Sequence, residues 1–194
     1  MHFDTIFLIG PQGSGKGTQA RILAEKHNLF YWEMGGVLRN LAKEETPLGK
    51  QVKDLVDSGV LLNDELLLSV VKDRLGTIPA DQGVIFDGVP RRIGQAEFLL
   101  KLLKEQGRNN LITLFIDLPY EESLNRLLAR AEKEGRQDDT REAIEYRLQQ
   151  YEQDTIPVLD YLRQNTQFFT IDGRPPIEQV TAAINDALKE YGPA

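Results

Sequence analysis

Thr5-Ile6-Phe7-Leu8-Ile9 runs straight into Gly10-Pro11-Gln12-Gly13-Ser14-Gly15-Lys16-Gly17-Thr18, and a helical pattern follows from Thr18 to His27. A tight turn needs one or two glycines; four around a single lysine are more than a turn requires. A glycine-rich turn between a buried strand and a helix can wrap its backbone N–H groups around phosphate oxygens. The helix N-terminus adds the positive end of its dipole. Lys16 can reach the outer phosphates as a point charge. The loop fits G-x-x-x-x-G-K, with Gly17 where the general motif has Ser or Thr and Thr18 one residue later. Binding of a nucleoside triphosphate is the expectation.

The rest of the chain alternates short apolar runs with helical patterns. Strands are expected at Phe3–Ile9, Phe30–Trp32, Val84–Phe86, Leu111–Ile116 and Phe168–Ile171. Helices are expected at Lys16–His27, Gly36–Lys43, Leu48–Asp57, Asp64–Leu75, Ile93–Gln106, Glu121–Lys133, Thr140–Gln164 and Ile177–Glu190. This order predicts an α/β, three-layer fold: a central parallel β-sheet flanked by helices, with right-handed crossovers. Ligands of such sheets bind at the carboxyl ends of the strands, where the Gly10–Lys16 loop falls. A length of 194 residues suits one domain, and no linker divides it. Two segments interrupt the alternation. Residues Glu33 to Leu62 are almost purely helical, broken at Pro47 and Gly59. Glu132–Asp139 is wholly polar and, on composition alone, a solvated loop.

Net charge is −7, so nothing draws the whole chain to nucleic acid or an anionic membrane, and a phosphate site must be a local basic cluster. Without cysteine there is no disulfide and no thiolate-bound zinc. His2 and His27 read as surface or helix-end residues. The first apolar run stops at Pro11, too short for a signal peptide or a membrane span. A cytoplasmic monomer is expected.

After Val84-Ile85-Phe86 comes Asp87-Gly88-Val89-Pro90-Arg91. An Asp at a strand's carboxyl end beside a phosphate loop is placed to hold Mg²⁺ through water. Asp-Gly is also an ordinary turn.

Together these motifs resemble the adenylate kinase family of nucleoside monophosphate kinases, of the short-lid type. Gly10–Gln19 looks like its phosphate loop G-x-P-G-x-G-K-G-T-Q, with Pro11 one residue early and Gln12 at the usual proline. Asp87–Arg91 looks like D-G-F-P-R with Val89 for Phe. Leu48-Gly49-Lys50-Gln51 through Asp64-Glu65-Leu66 tracks the monophosphate-binding segment, and Gly135-Arg136-Gln137-Asp138-Asp139 the short lid G-R-x-D-D. The likeness covers nearly the whole chain. It implies one phosphate-loop kinase domain over residues 1–194, a helical monophosphate-binding insertion at 33–62 and a short lid at 126–140. It implies the reaction MgATP + AMP ⇌ 2 ADP, with no zinc in the lid.

The resemblance also implies the site. Gly13, Ser14, Gly15, Lys16, Gly17, Thr18 and Arg126 would bind ATP. Met34, Arg39, Leu62, Gly88, Arg91 and Gln95 would bind AMP. Lys16, Arg91, Arg130, Arg136 and Arg147 would act on the transferred phosphoryl group, and Asp87 would hold Mg²⁺ through water. Arg126 and Arg130 share a helix face with Glu122 and Glu134, so surface ion pairs are the plain alternative for both. Arg147 has Ala143, Ile144, Gln150 and Tyr151 at three and four residues, and Arg39 has Gly35, Gly36, Ala42 and Lys43. Pairing at helical spacing explains neither arginine. Glu33-Met34-Gly35-Gly36 stands where the family reads S-T-G-D, with Met34 for a base-contacting threonine and Gly36 for an aspartate. A kinase for UMP or CMP is the nearest alternative, although Gln95 argues for adenine. A non-catalytic nucleotide-binding scaffold is a further class, disfavoured because no arginine is missing.

Overall fold

A computed structural model describes residues 3–57, 63–134 and 140–191. Five strands form one sheet: β1 (Thr5–Ile9), β2 (Phe30–Glu33), β3 (Val84–Asp87), β4 (Leu111–Asp117) and β5 (Gln167–Asp172), in the order β2-β3-β1-β4-β5. All pairings are parallel. The strands lie within a residue or two of their expected bounds.

Period-two alternation sends each strand's side chains to two apolar faces. Ile6, Leu8, Ile85, Leu114 and Ile116 pack with Ala20 and Leu23 of α1 (Lys16–His27) and with Ile184 and Leu188 of α9 (Ile177–Tyr191). Phe7, Ile9, Trp32 and Phe86 face the other way. They meet α4 (Asp64–Leu75), α5 (Ile93–Glu105) and α8 (Ile156–Asn165) through Val70, Leu99 and Leu162. Phe86 anchors this layer, its ring 5.6 Å from that of Phe7 and 5.4 Å from that of Trp32. Each such side chain contributes about 1.5–3 kcal/mol on full burial. The three-layer parallel fold is therefore as expected. Asn63 caps α4 and Thr140 caps α7 (Arg141–Gln150), each side-chain oxygen accepting the N–H three residues on. Asn28 ends α1 in the left-handed conformation, with φ 52°.

Two expectations need correction. The helix foreseen over Thr140–Gln164 is broken by a π-helical turn at Tyr151–Thr155, where the Ile156 N–H bonds to the Tyr151 carbonyl five residues back. Pro157 follows immediately and has no N–H to donate, so the ladder is rebuilt as α8. The helical segment after β2 also stands less apart than expected. Its helices α2 (Met34–Leu41) and α3 (Pro47–Asp57) bury Met34, Leu41 and Val52 in the sheet-facing core. Among the described residues no helix is long and apolar enough to cross a membrane.

Candidate active site at the carboxyl ends of the strands

The loop after β1 owes its shape to glycine. Gly13 and Gly15 sit at φ 84° and 89°, which side chains resist, and Gly15 is the N-cap of α1. A turn of this kind aims successive N–H groups at one point, with the helix dipole behind them. Lys16 folds back so that Nζ donates to the Pro11 carbonyl at 2.8 Å. Burial pulls its pKa down to about 8; Asp87 opposes the shift, and the cations Arg91 and Arg130 add to it. Ser14 Oγ and Gln12 Oε1 are buried with no hydrogen-bond partner among the described residues.

Sheet register brings Asp87 to this loop. Asp87 pairs with Leu8 on β1 and with Glu33 on β2, on the α1 face of the sheet. Its Oδ2 accepts the Tyr31 phenol at 3.1 Å. A Cβ on Gly17 would lie 3.3 Å from that same Oδ2 and 3.6 Å from the phenol oxygen. A Ser or Thr here would crowd the carboxylate, which glycine leaves undisturbed. Burial, with Asp87 adding to it, pushes the Tyr31 phenol above its ordinary range, so it stays a donor at neutral pH. One carboxylate over a phosphate loop suits Mg²⁺, which binds through one or two carboxylates plus substrate phosphates. No group of three or more His, Cys, Asp or Glu among the described residues makes an all-protein metal cage.

The turn after β3 gathers a second set. Gly88 has φ 90°, and a Cβ there would meet Arg91 Nη2 at 3.4 Å and Met34 Cβ at 3.6 Å. Arg91 Nε donates to the Gly88 carbonyl at 2.9 Å. Arg91 is exposed to solvent, yet protein atoms crowd its guanidinium. Desolvation pushes its guanidinium down; Asp87 opposes this and Arg147 adds to it. Gln95 is buried. Its Oε1 accepts the Arg91 N–H at 2.8 Å and its Nε2 donates to Asp64 at 2.6 Å. Met34 is buried too, its Sδ accepting the Trp32 indole N–H at 3.4 Å. Arg39 has no partner at helical spacing but does have a carboxylate farther off: its Nη2 meets Glu33 Oε1 at 2.9 Å, six residues back and across the strand–helix junction.

On the other flank, α6 (Tyr120–Glu134) carries Arg126 and Arg130. The surface pair weighed for Arg126 is present: Nε donates to Glu122 at 2.9 Å. Its other two nitrogens donate to the Gly173 and Arg174 carbonyls, both at 2.9 Å. Arg147, on α7, donates from Nε to the Ala143 carbonyl at 3.1 Å. The charges of Arg91 and Arg130 act on Lys16, and that of Arg147 acts on Arg91, so these four cations are linked as neighbours. A cavity of about 120 Å³ is lined by Pro11, Asp117 and Tyr151 but by none of Gly13–Thr18. Leu62, Arg136 and the lid centre at 135–139 lie outside the described residues.

Sequence reasoning missed the contacts that Tyr31, Glu33 and Asp64 make with Asp87, Arg39 and Gln95. Tyr31 and Glu33 had a signal in strand parity, since they share a face with Ile85 and Asp87 once β2 pairs with β3. Asp64 had none.

A cluster of cations over a glycine loop, faced by one carboxylate, is a setting for phosphoryl transfer between nucleotides. The family model for adenylate kinase matches residues 8–167. An adenylate kinase of Cyanothece sp. is 42% identical over 185 residues, 95% of each chain. One of Phocaeicola vulgatus is 38% identical over 95% of this chain and 98% of its own. Adenylate kinase 1 of Nostoc sp. is 40% identical over 94% and 97%. The chain belongs to the adenylate kinase family, ATP-dependent nucleoside monophosphate kinases on an α/β phosphate-loop fold.

Proposed function

We propose that the chain catalyses ATP + AMP ⇌ 2 ADP in the cytoplasm as a monomer. The observation that carries the mechanism is the convergence of Lys16, Arg91, Arg130 and Arg147 beside the glycine loop, facing Asp87. The acceptor phosphate is already an anionic nucleophile, so no strong general base is needed. Catalysis is positioning and charge neutralisation. The amides of Gly13 to Thr18 and the Lys16 ammonium hold the donor phosphates. Ser14 Oγ, buried and without a hydrogen-bond partner among the described residues, adds a donor there. Arg126, fixed by two carbonyls after β5, borders the donor's base. Arg39 and Arg91 orient the acceptor phosphate in line. Arg130, Arg136 and Arg147 neutralise charge on the moving phosphoryl group.

Mg²⁺ fits at Asp87, through water, and when bound it supplies charge neutralisation on the donor phosphates. Tyr31 keeps that carboxylate turned toward the loop. The helical segment at 33–62 covers the acceptor, and the lid at 126–140 excludes water, without which ATP would simply be hydrolysed. Met34 and Gln95 border the acceptor base, and Leu62 joins them.

Relatives named adenylate kinase align along about 95% of the chain, which supports AMP over a pyrimidine monophosphate. The test is stoichiometry. Purified protein with ATP, Mg²⁺ and AMP should form two ADP per ATP consumed, and ADP alone should return ATP and AMP. ADP formed equally fast without AMP would mean hydrolysis and overturn the reading.

A further inference from the structure

We propose that Glu33 is an internal anion that competes with the acceptor's phosphate for Arg39 and thereby sets acceptor affinity. The inference rests on Arg39 being an acceptor-phosphate ligand.

Glu33 ends β2 and is the N-cap of α2, yet its side chain makes no capping hydrogen bond. The carboxylate turns instead to Arg39 Nη2 at 2.9 Å. The pair lies over two glycines. A Cβ on Gly35 would sit 3.1 Å from Arg39 Nη1, and one on Gly36 would sit 3.3 Å from Glu33 Oε2. The missing side chains make the groove in which the two groups meet. No other acid stands in the first turn of α2, so Glu33 is its local negative charge. The groups face solvent, at 62% and 40% side-chain exposure, so an arriving ligand can reach both. Glu33 also pairs in register with Asp87, the residue before Gly88, whose carbonyl accepts from Arg91 Nε.

An exposed pair of this kind is weak. A doubly charged phosphate, which guanidinium can grip through two parallel bonds, displaces it. The carboxylate then remains beside the bound phosphate and repels it. Both effects lower affinity for a charged acceptor and leave an uncharged nucleoside untouched.

The experiment measures AMP binding to the protein alone, by calorimetry, and adenosine as a competitor of AMP. It compares wild type, Glu33→Gln, Glu33→Ser, Arg39→Met and the double variant Glu33→Gln with Arg39→Met. Fluorescence of Trp32, next to Glu33 and the chain's one tryptophan, checks that β2 is intact. Removing the carboxylate should tighten AMP about two- to five-fold, leave adenosine unchanged, and have no effect in the Arg39→Met background. Steady state should show the same gain in the AMP KM with the ATP KM unmoved. AMP binding unchanged or weakened by both Glu33 variants, while Arg39→Met weakens it, overturns the proposal and leaves the Arg39 reading standing. A gain that persists with Met at position 39, or that extends to adenosine, also overturns it. Arg39→Met binding AMP like wild type overturns the Arg39 reading itself.

Discussion

The Tyr31 phenol donates to Asp87 Oδ2 at 3.1 Å directly over Gly17, joining β2 and β3 to the first turn of α1. The carboxylate proposed for Mg²⁺ is thus held from one side. Tyr31→Phe should leave the fold intact and lower stability by about 1 kcal/mol, the net contribution of one hydrogen bond. It should raise the Mg²⁺ concentration for half-maximal rate several-fold. Magnesium titrations at fixed ATP check this; superimposable curves would show that Asp87 needs no such support.

Lys16 gives a pH dependence. Its folded-state pKa of about 8 lies below the ordinary 10.5, chiefly through burial. The unfolded chain therefore binds more protons between these values, and this group's destabilising contribution, full below about pH 8, is relieved as pH rises toward 10.5. A polyphosphate beside the ammonium restores the charge. ATP binding at pH 8.5 should then take up a proton, visible as a binding enthalpy that depends on the buffer's ionisation enthalpy. Lys16→Ala should abolish transfer with circular dichroism unchanged. No buffer dependence, or near-normal turnover in the variant, would remove Lys16 from the donor site.

Gln95 ties the acceptor turn to α4 through the Arg91 N–H and Asp64. Gln95→Ala removes the acceptor of the Arg91 N–H and the donor to Asp64, at about 1 kcal/mol for each hydrogen bond. Thermal melting should show that loss, and the AMP KM should rise while the ATP KM does not. A drop in melting temperature with both KM values unchanged would make Gln95 purely structural.

Arg147→Ala should lower turnover by on the order of 10³, the scale for losing a charge-stabilising arginine in phosphoryl transfer. Arg91 feels its charge, which supports the role proposed for Arg147. Single-turnover rates on folded protein check this. A stability loss with normal turnover would make it a structural ion pair.

The glycine loop and the strand alternation were legible because each is a local pattern. Gly13 and Gly15 need their left-handed φ, Phe7 and Leu8 alternate between faces, and Asp87 ends a strand. What was not legible depends on which strands become neighbours. Glu33 meets Arg39 only because β2 runs directly into α2, and Tyr31 reaches Asp87 only because β2 lies beside β3. Arg108 shows the same limit. It stands in the polar run Gly107-Arg108-Asn109-Asn110, yet it is 2% exposed and binds the Gln82 and Pro79 carbonyls at 2.6 and 2.9 Å, pinning the loop before β3. The π turn before Pro157 escaped because helical periodicity barely changes across one extra residue.

Acceptor choice tests the account most directly. Met34 stands beside Gly88 with its sulfur engaged by the Trp32 indole, so in its proposed place at the acceptor base it would give a soft contact and no donor. Rates of ADP formation from saturating ATP should be measured with AMP, dAMP, CMP, UMP and GMP in turn. AMP should give the highest kcat/KM, and Met34→Thr should lower the AMP KM by more than those for CMP and UMP. A higher kcat/KM for CMP or UMP, or no ADP from any acceptor, would contradict the assignment.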